Sequence, residues 1–107
     1  MPSPIRYKII WSFSANEDLA DIYNYIELDS PQAADKVIDT LLDLGHSLEF
    51  HPNRFSVEEN LKDAPLVFRS FPKWNYKIIY TVNEDDKTVI IARVFGTFQN
   101  PDKMEVQ

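Results

Sequence analysis

From residue 66 onward the chain alternates apolar runs with polar breaks. Leu66–Phe71, Tyr76–Val82 and Thr88–Phe95 are rich in β-branched and aromatic residues. Such residues fit a pleated, half-buried surface, so each run is predicted as a strand. The separators are Pro72-Lys73-Trp74-Asn75 and Asn83-Glu84-Asp85-Asp86-Lys87. Pro cannot donate to a ladder, and Asn and Asp side chains bond their own backbone, so both separators are predicted as turns. Links this short permit hairpins and forbid parallel crossovers, which makes the three strands an antiparallel meander.

Upstream, Tyr7–Phe13 alternates, with Tyr7, Ile9, Trp11 and Phe13 on the more apolar face of a first strand. Ser14 and Glu17 have the spacing of a capping box and open a helix. Its apolar stripe is Leu19, Ile22, Tyr23 and Ile26. Ser30 as N-cap and Pro31 at the first helical position begin a second helix. There the stripe is Ala34, Val37, Ile38, Leu41, Leu44 and Leu48, with Asp35, Asp39 and Asp43 on the wet face and Pro52 as the stop. Gly45 lowers helix stability by about 1 kcal/mol relative to Ala and leaves room for close packing at that position. Residues 53–65 read as a connecting loop with a short turn at Val57–Leu61.

The order is therefore β-α-α-β-β-β. It predicts an α+β fold in which an antiparallel helical hairpin packs on one face of a largely antiparallel sheet. The 107 residues make one domain, with 102–107 as a short polar tail.

Composition narrows the function. A net charge of −6 is the reverse of what a general nucleic-acid binder needs, since phosphate neutralisation supplies most of its affinity. The charge is also uneven. Residues 1–50 carry Arg6, Lys8 and Lys36 against nine acids, whereas residues 51–107 balance eight against eight. Cysteine is absent, which removes disulfide and thiolate chemistry and fits a reducing cytoplasm. No apolar run is long enough for a membrane span, and the N-terminus lacks the apolar core of a signal peptide. No metal-ligand spacing, phosphate-cradling glycine loop or nucleophile–base motif occurs, so neither metal nor cofactor is expected.

The candidate chemistry lies on the meander, where Arg69, Lys73, Lys77 and Arg93 form a predicted basic sheet. Arg69 and Arg93 fit pairing with helix acids as well as target binding. Lys77 alternates with Tyr76 and Ile78 and reads as a solvated lysine on a sheet face. Trp74, in a turn, reads as packing back on the core, with anchoring of a partner as the alternative. Tyr76 and Tyr80 share a face and read as sheet packing. His46 and His51 fall at the end of the second helix, away from these cations, and read as surface residues.

The segments Ala15…Glu17-Asp18-Leu19…Ile22…Tyr25-Ile26…Ser30-Pro31…Ala34, Arg69-Ser70-Phe71-Pro72…Tyr76-Lys77-Ile78-Ile79-Tyr80-Thr81-Val82, Ile91-Ala92-Arg93-Val94 and Asn100-Pro101 together resemble the RelE/ParE superfamily of type II toxin–antitoxin modules. The resemblance runs from about Tyr7 to Pro101 and lies nearer the ParE branch, whose members are also known as plasmid stabilisation proteins. ParE-like members commonly close with Arg-Val-Leu-His-Gly-x-Arg-Asp-Pro. Here Arg93 and Pro101 stand, while Gly96 and Gln99 fill the His and second Arg positions.

The resemblance implies a bacterial toxin that binds a macromolecular target such as DNA gyrase and is neutralised by a cognate antitoxin, with a homodimer permitted. Relatives of this kind are mostly basic with acidic antitoxins, so this acidic chain implies a partner segment carrying Lys or Arg. The target- or partner-binding set it implies is Arg69, Lys73, Trp74, Lys77, Arg93, Gln99 and Asn100. Two other readings stay open. One is a ribosome-dependent mRNA endonuclease using Arg69, Lys77 and Arg93 as catalytic cations, although no Arg follows Arg93 and no Tyr follows Tyr80. The other is a non-toxic protein-binding module with a toxin fold.

Overall fold

The computed structural model describes residues 4–96. The elements are β1 (Lys8–Trp11), α1 (Phe13–Glu27), α2 (Pro31–His46), β2 (Phe68–Lys73), β3 (Tyr76–Asn83) and β4 (Thr88–Gly96). The sheet order is β1-β4-β3-β2. β2, β3 and β4 form the expected antiparallel meander, and β1 joins β4 in parallel through Lys8↔Thr88 to Trp11↔Ile91.

One face of the sheet carries the helices. Ala15, Leu19, Leu41 and Leu48 meet Phe71, Ile78, Tyr80, Val89, Ile91 and Val94 in the main core. Each fully buried aliphatic here, Leu41 or Ile91 for example, contributes about 1.5–3 kcal/mol. The opposite face is covered in part by the 53–65 connection, where Leu61 and Ala64 pack on Phe68, Ile79, Ala92 and Phe95. Gly45 sits where α2 crosses β1. A Cβ there would lie 2.3 Å from a Trp11 ring carbon and 2.8 Å from Ile91 Cδ1, so only glycine admits this approach.

The first helix begins two residues earlier than the capping box predicts. Ser12 is the N-cap, its Oγ accepting from the Ala15 N–H at 3.0 Å and donating to the Ala92 carbonyl at 2.9 Å. Ser12 also donates its own N–H to Ile91, ending the β1–β4 ladder. Those tertiary bonds to β4 decide between Ser12 and Ser14. Phe13, placed in the strand by alternation, is the first helical residue and is exposed.

Ser30 and Pro31 start α2 as expected, but the helix ends at His46 rather than at Pro52. Leu48 remains buried in a 3-10 turn (Ser47–Glu49). The Arg54 guanidinium donates to the carbonyls of Ser47, Phe50 and His51, supplying donors to backbone acceptors where the helix stops.

Pro72 and Lys73 belong to β2, so the hairpin turn is only Trp74-Asn75. The Ser70 N–H donates outward to Ser56, and the Pro72 nitrogen, two residues on, faces that same outer edge. Its missing N–H therefore costs no ladder bond.

Candidate functional site

The four meander cations do not form one basic face. Arg69 and Lys73 lie two residues either side of Phe71 and so share its helix-side face, whereas Lys77 projects with Ile79 on the other side. Arg93 sits at the edge of β4. Each has a partner within the fold.

Arg93 holds the most constrained position. Beyond Trp11, β4 has lost its β1 neighbour, and α1 takes over that edge. Asp18 Oδ2 accepts from the Val94 N–H at 2.9 Å and from Arg93 Nε at 2.7 Å, while Oδ1 accepts from Nη2 at 3.0 Å. A β-bulge lies alongside: Ile79 pairs with Arg93 and Tyr80 with Ile91, leaving Ala92 as the extra residue. Bulges twist a strand and re-aim its side chains, and this one stands where the guanidinium meets α1.

Lys77 is not a solvated lysine. Its Nζ lies 2.7 Å from Oε1 of Glu58, a carboxylate only 2% exposed. Ser70 Oγ donates to the same oxygen at 2.9 Å, and the Asn60 N–H donates to Oε2 at 2.8 Å. Burial alone would push this carboxyl's pKa up; Lys77, the Asn60 amide and the Ser70 hydroxyl outweigh it and hold the pKa below the ordinary 4.5. Glu58 reaches this position because Ser56 and Glu58 bond to the outer edge of β2 around a Val57↔Arg69 bridge. The sequence reading missed Glu58. Locally it is one of three acids, with Glu59 and Asp63, in a connection read as a loop with a short turn, and nothing in that pattern singles it out.

Arg69 donates to the Phe55 carbonyl at 2.7 Å, beside the Phe55–Phe71 ring stack. Lys73 Nζ lies 4.7 Å from the centroid of the Trp74 ring. Trp74 does not pack back on the core. It is 50% exposed and takes φ 54° in a tight turn, which directs the ring outward. Gln99 and Asn100 lie outside the described residues.

The titratable groups offer little for proton transfer. Tyr80 is fully buried and donates to the Pro52 carbonyl; burial raises its phenol pKa to about 12. His46 is exposed and lies edge-on to Trp11 with ring centroids 6.0 Å apart, and His51 is exposed in the 51–54 turn. Away from the meander face, Glu84 ties the β3–β4 turn to the N-terminal segment and to the 52–54 turn. It accepts from Asn53, Tyr7 and Lys87, and these bonds bring its pKa down to about 2.

A shallow hollow opens between α1 and the ends of β3 and β4. Asp18, Asp21, Ile22 and Tyr25 line it from the helix, and Tyr76 and Gly96 from the strands, where they are direct ladder partners. Gly96, the residue at the family's His position, is buried here.

The family model for the ParE toxin of the type II toxin–antitoxin system parDE matches residues 9–101, and so takes in both helices and all of the sheet but Lys8. The chain belongs to this family. Solved structures agree on the fold. The chain is similar to one described as the chromosomal ParDE toxin–antitoxin system from P. aeruginosa, at 21% identity and TM-score 0.67, covering 85% of this chain and 96% of that one. It is also similar to one described as the toxin–antitoxin complex RelBE2 from Mycobacterium tuberculosis, at 16% identity and TM-score 0.62, covering 90% and 97%. No protein of curated function matches. Among the described residues of this ParE-family chain, no helix is long and apolar enough to cross a membrane, and no group of acids and histidines is arranged to hold a metal ion.

Proposed function

We propose that this ParE-family chain is a cytoplasmic toxin that inhibits a macromolecular target by binding it, DNA gyrase being the family precedent, and that a cognate antitoxin neutralises it. One observation carries the preference for binding over RNA cleavage: the cations a nuclease would need are already engaged. Lys77 is held by Glu58, Arg93 by Asp18 and Arg69 by the Phe55 carbonyl. Cleavage by 2′-hydroxyl attack needs positive charge aimed at the phosphate and a group to move a proton. A cation already neutralised by a carboxylate supplies little of the first. For the second, the sequence after Tyr80 contains neither Tyr nor His. The antitoxin part of the reading draws on the two similar structures, both described as toxin–antitoxin assemblies.

The test has two arms. Purified protein added to gyrase with relaxed plasmid should suppress supercoiling, and expression alone should arrest growth. The same protein added to ribosomes programmed with mRNA should leave no new 5′ ends at the A-site codon. Codon-specific cleavage that disappears in Lys77→Ala or Arg93→Ala would overturn this in favour of the nuclease. Absence of any growth effect would favour a non-toxic binding module.

A further inference from the structure

The hollow between α1 and the strand ends has a volume of about 140 Å3. That is room for roughly five waters, or for a guanidinium or ammonium with its last methylenes. Its chemistry is one-sided. Asp18 is committed to Arg93 and the Val94 N–H, so their charges offset. Asp21, one turn further along α1, has no side-chain hydrogen bond or ion pair among the described residues, and its charge is left over. The Tyr25 and Tyr76 hydroxyls have no hydrogen-bond partner among those residues either, and both aromatic side chains line the hollow. A free carboxylate beside two aromatic side chains suits a cation. Tyr25 and Leu28, 74% and 81% exposed on one side of α1, make an apolar collar for residues flanking such a cation.

We propose that this hollow receives a single Lys or Arg side chain from the antitoxin segment that binds this chain, an inference that rests on the toxin–antitoxin reading above. Charge complementarity favours that occupant. The helical half of the chain carries nine acids against three cations, and Asp21, which lines the hollow, is exposed beside exposed apolar surface. A disordered segment that folds on binding gains most from a few anchors of this kind, an aliphatic stem with a paired head group.

The probe is N-acetyl-arginine amide titrated into the 15N-labelled chain, with N-acetyl-citrulline amide as the neutral isostere. Saturable shifts are expected at the amides of Asp21, Ile22, Tyr25, Tyr76 and Gly96, with the arginine compound alone. Affinity should fall about fivefold in Asp21→Asn, the upper range for a partly exposed ion pair. It should fall about threefold in Tyr25→Leu, which keeps apolar bulk and removes the π face. An equal response to citrulline would overturn the proposal, as would shifts spread along Asp35, Asp39 and Asp43. Binding that emerges only in Lys103→Gln would assign the hollow to the chain's own tail and overturn it too. With the product of the neighbouring reading frame co-expressed, Asp21→Asn should still arrest growth alone but be rescued less well than the parent; equal rescue would refute the antitoxin as occupant. Growth arrest is scored separately. A chain that never slows growth yet binds arginine loses the toxin reading and keeps the cation site, while a toxic chain blind to arginine does the reverse.

Discussion

Replacing Lys77 by Met should reverse the sign of Glu58's contribution to the pH dependence of stability in the acidic range. In the parent, the Glu58 carboxyl is held below 4.5 by Lys77, Asn60 and Ser70 against the cost of burial. The unfolded chain therefore takes up protons first as pH falls, and Glu58's contribution is present above about pH 4.5 and lost below it. Met at position 77 keeps the aliphatic stem and removes the charge. Glu58, at 2% exposure, is then left with a hydroxyl and one amide, so burial dominates and its pKa rises above the ordinary value. A raised native pKa means stability is lost as pH rises through it.

Stranding one partner of a fully buried pair costs about 3–5 kcal/mol. Here Ser70 and Asn60 still donate, and the Lys77 side chain is 26% exposed in the parent, so about 2–3 kcal/mol at pH 7.5 is expected. That corresponds to a fall in Tm of about 10 °C. Urea melts of parent and Lys77→Met at pH 7.5, 6 and 5 measure it: the gap should narrow steadily toward pH 5 as Glu58 protonates in the variant. Glu58→Gln/Lys77→Met should recover much of the loss, because Gln still accepts from Ser70 and Asn60. A gap that stays constant with pH, or one under about 0.5 kcal/mol at pH 7.5, would refute the argument and return Lys77 to the solvent.

Gly45→Ala should destabilise despite better helix propensity. Propensity returns about 1 kcal/mol, but the new Cβ overlaps the Trp11 ring at 2.3 Å and Ile91 Cδ1 at 2.8 Å, so a net loss of about 1–2 kcal/mol is expected in thermal melts. Ser12→Ala should cost about 1 kcal/mol, whereas Ser14→Ala should stay within about 0.5, which identifies the true N-cap. A double-mutant cycle of Asp18→Asn and Arg93→Met should return a coupling of about 1–2 kcal/mol by urea denaturation; additivity would free Arg93 from the scaffold.

Much of the fold was legible because its determinants are local. The β-branched runs placed β2, β3 and β4 within about two residues, and Ser30-Pro31 marked the start of α2 from side-chain chemistry alone. Gly45 was recognisable as a site open to close packing because a glycine in a helix interior is otherwise a loss. The candidate site was less legible, because its arrangement is built from contacts between distant positions. Pattern could say that Arg69, Lys77 and Arg93 lie on strands and Lys73 beside one, not which partner each would meet. Glu58 reaches Lys77 only because the connecting loop pairs with the edge of β2, and Asp18 reaches Arg93 only because α1 continues along the edge of β4 where β1 stops.

The sequence by itself determined the element order, the two helix stripes and the meander, since hydrophobic period, caps and turn residues act over a few positions. Tertiary structure decided the parallel β1–β4 pairing, the bulge at Ala92, the choice of Ser12 over Ser14 and the neutralisation of Lys77 and Arg93. Each of those depends on a backbone or carboxylate group supplied from far along the chain, and no local pattern encodes where such a group will arrive.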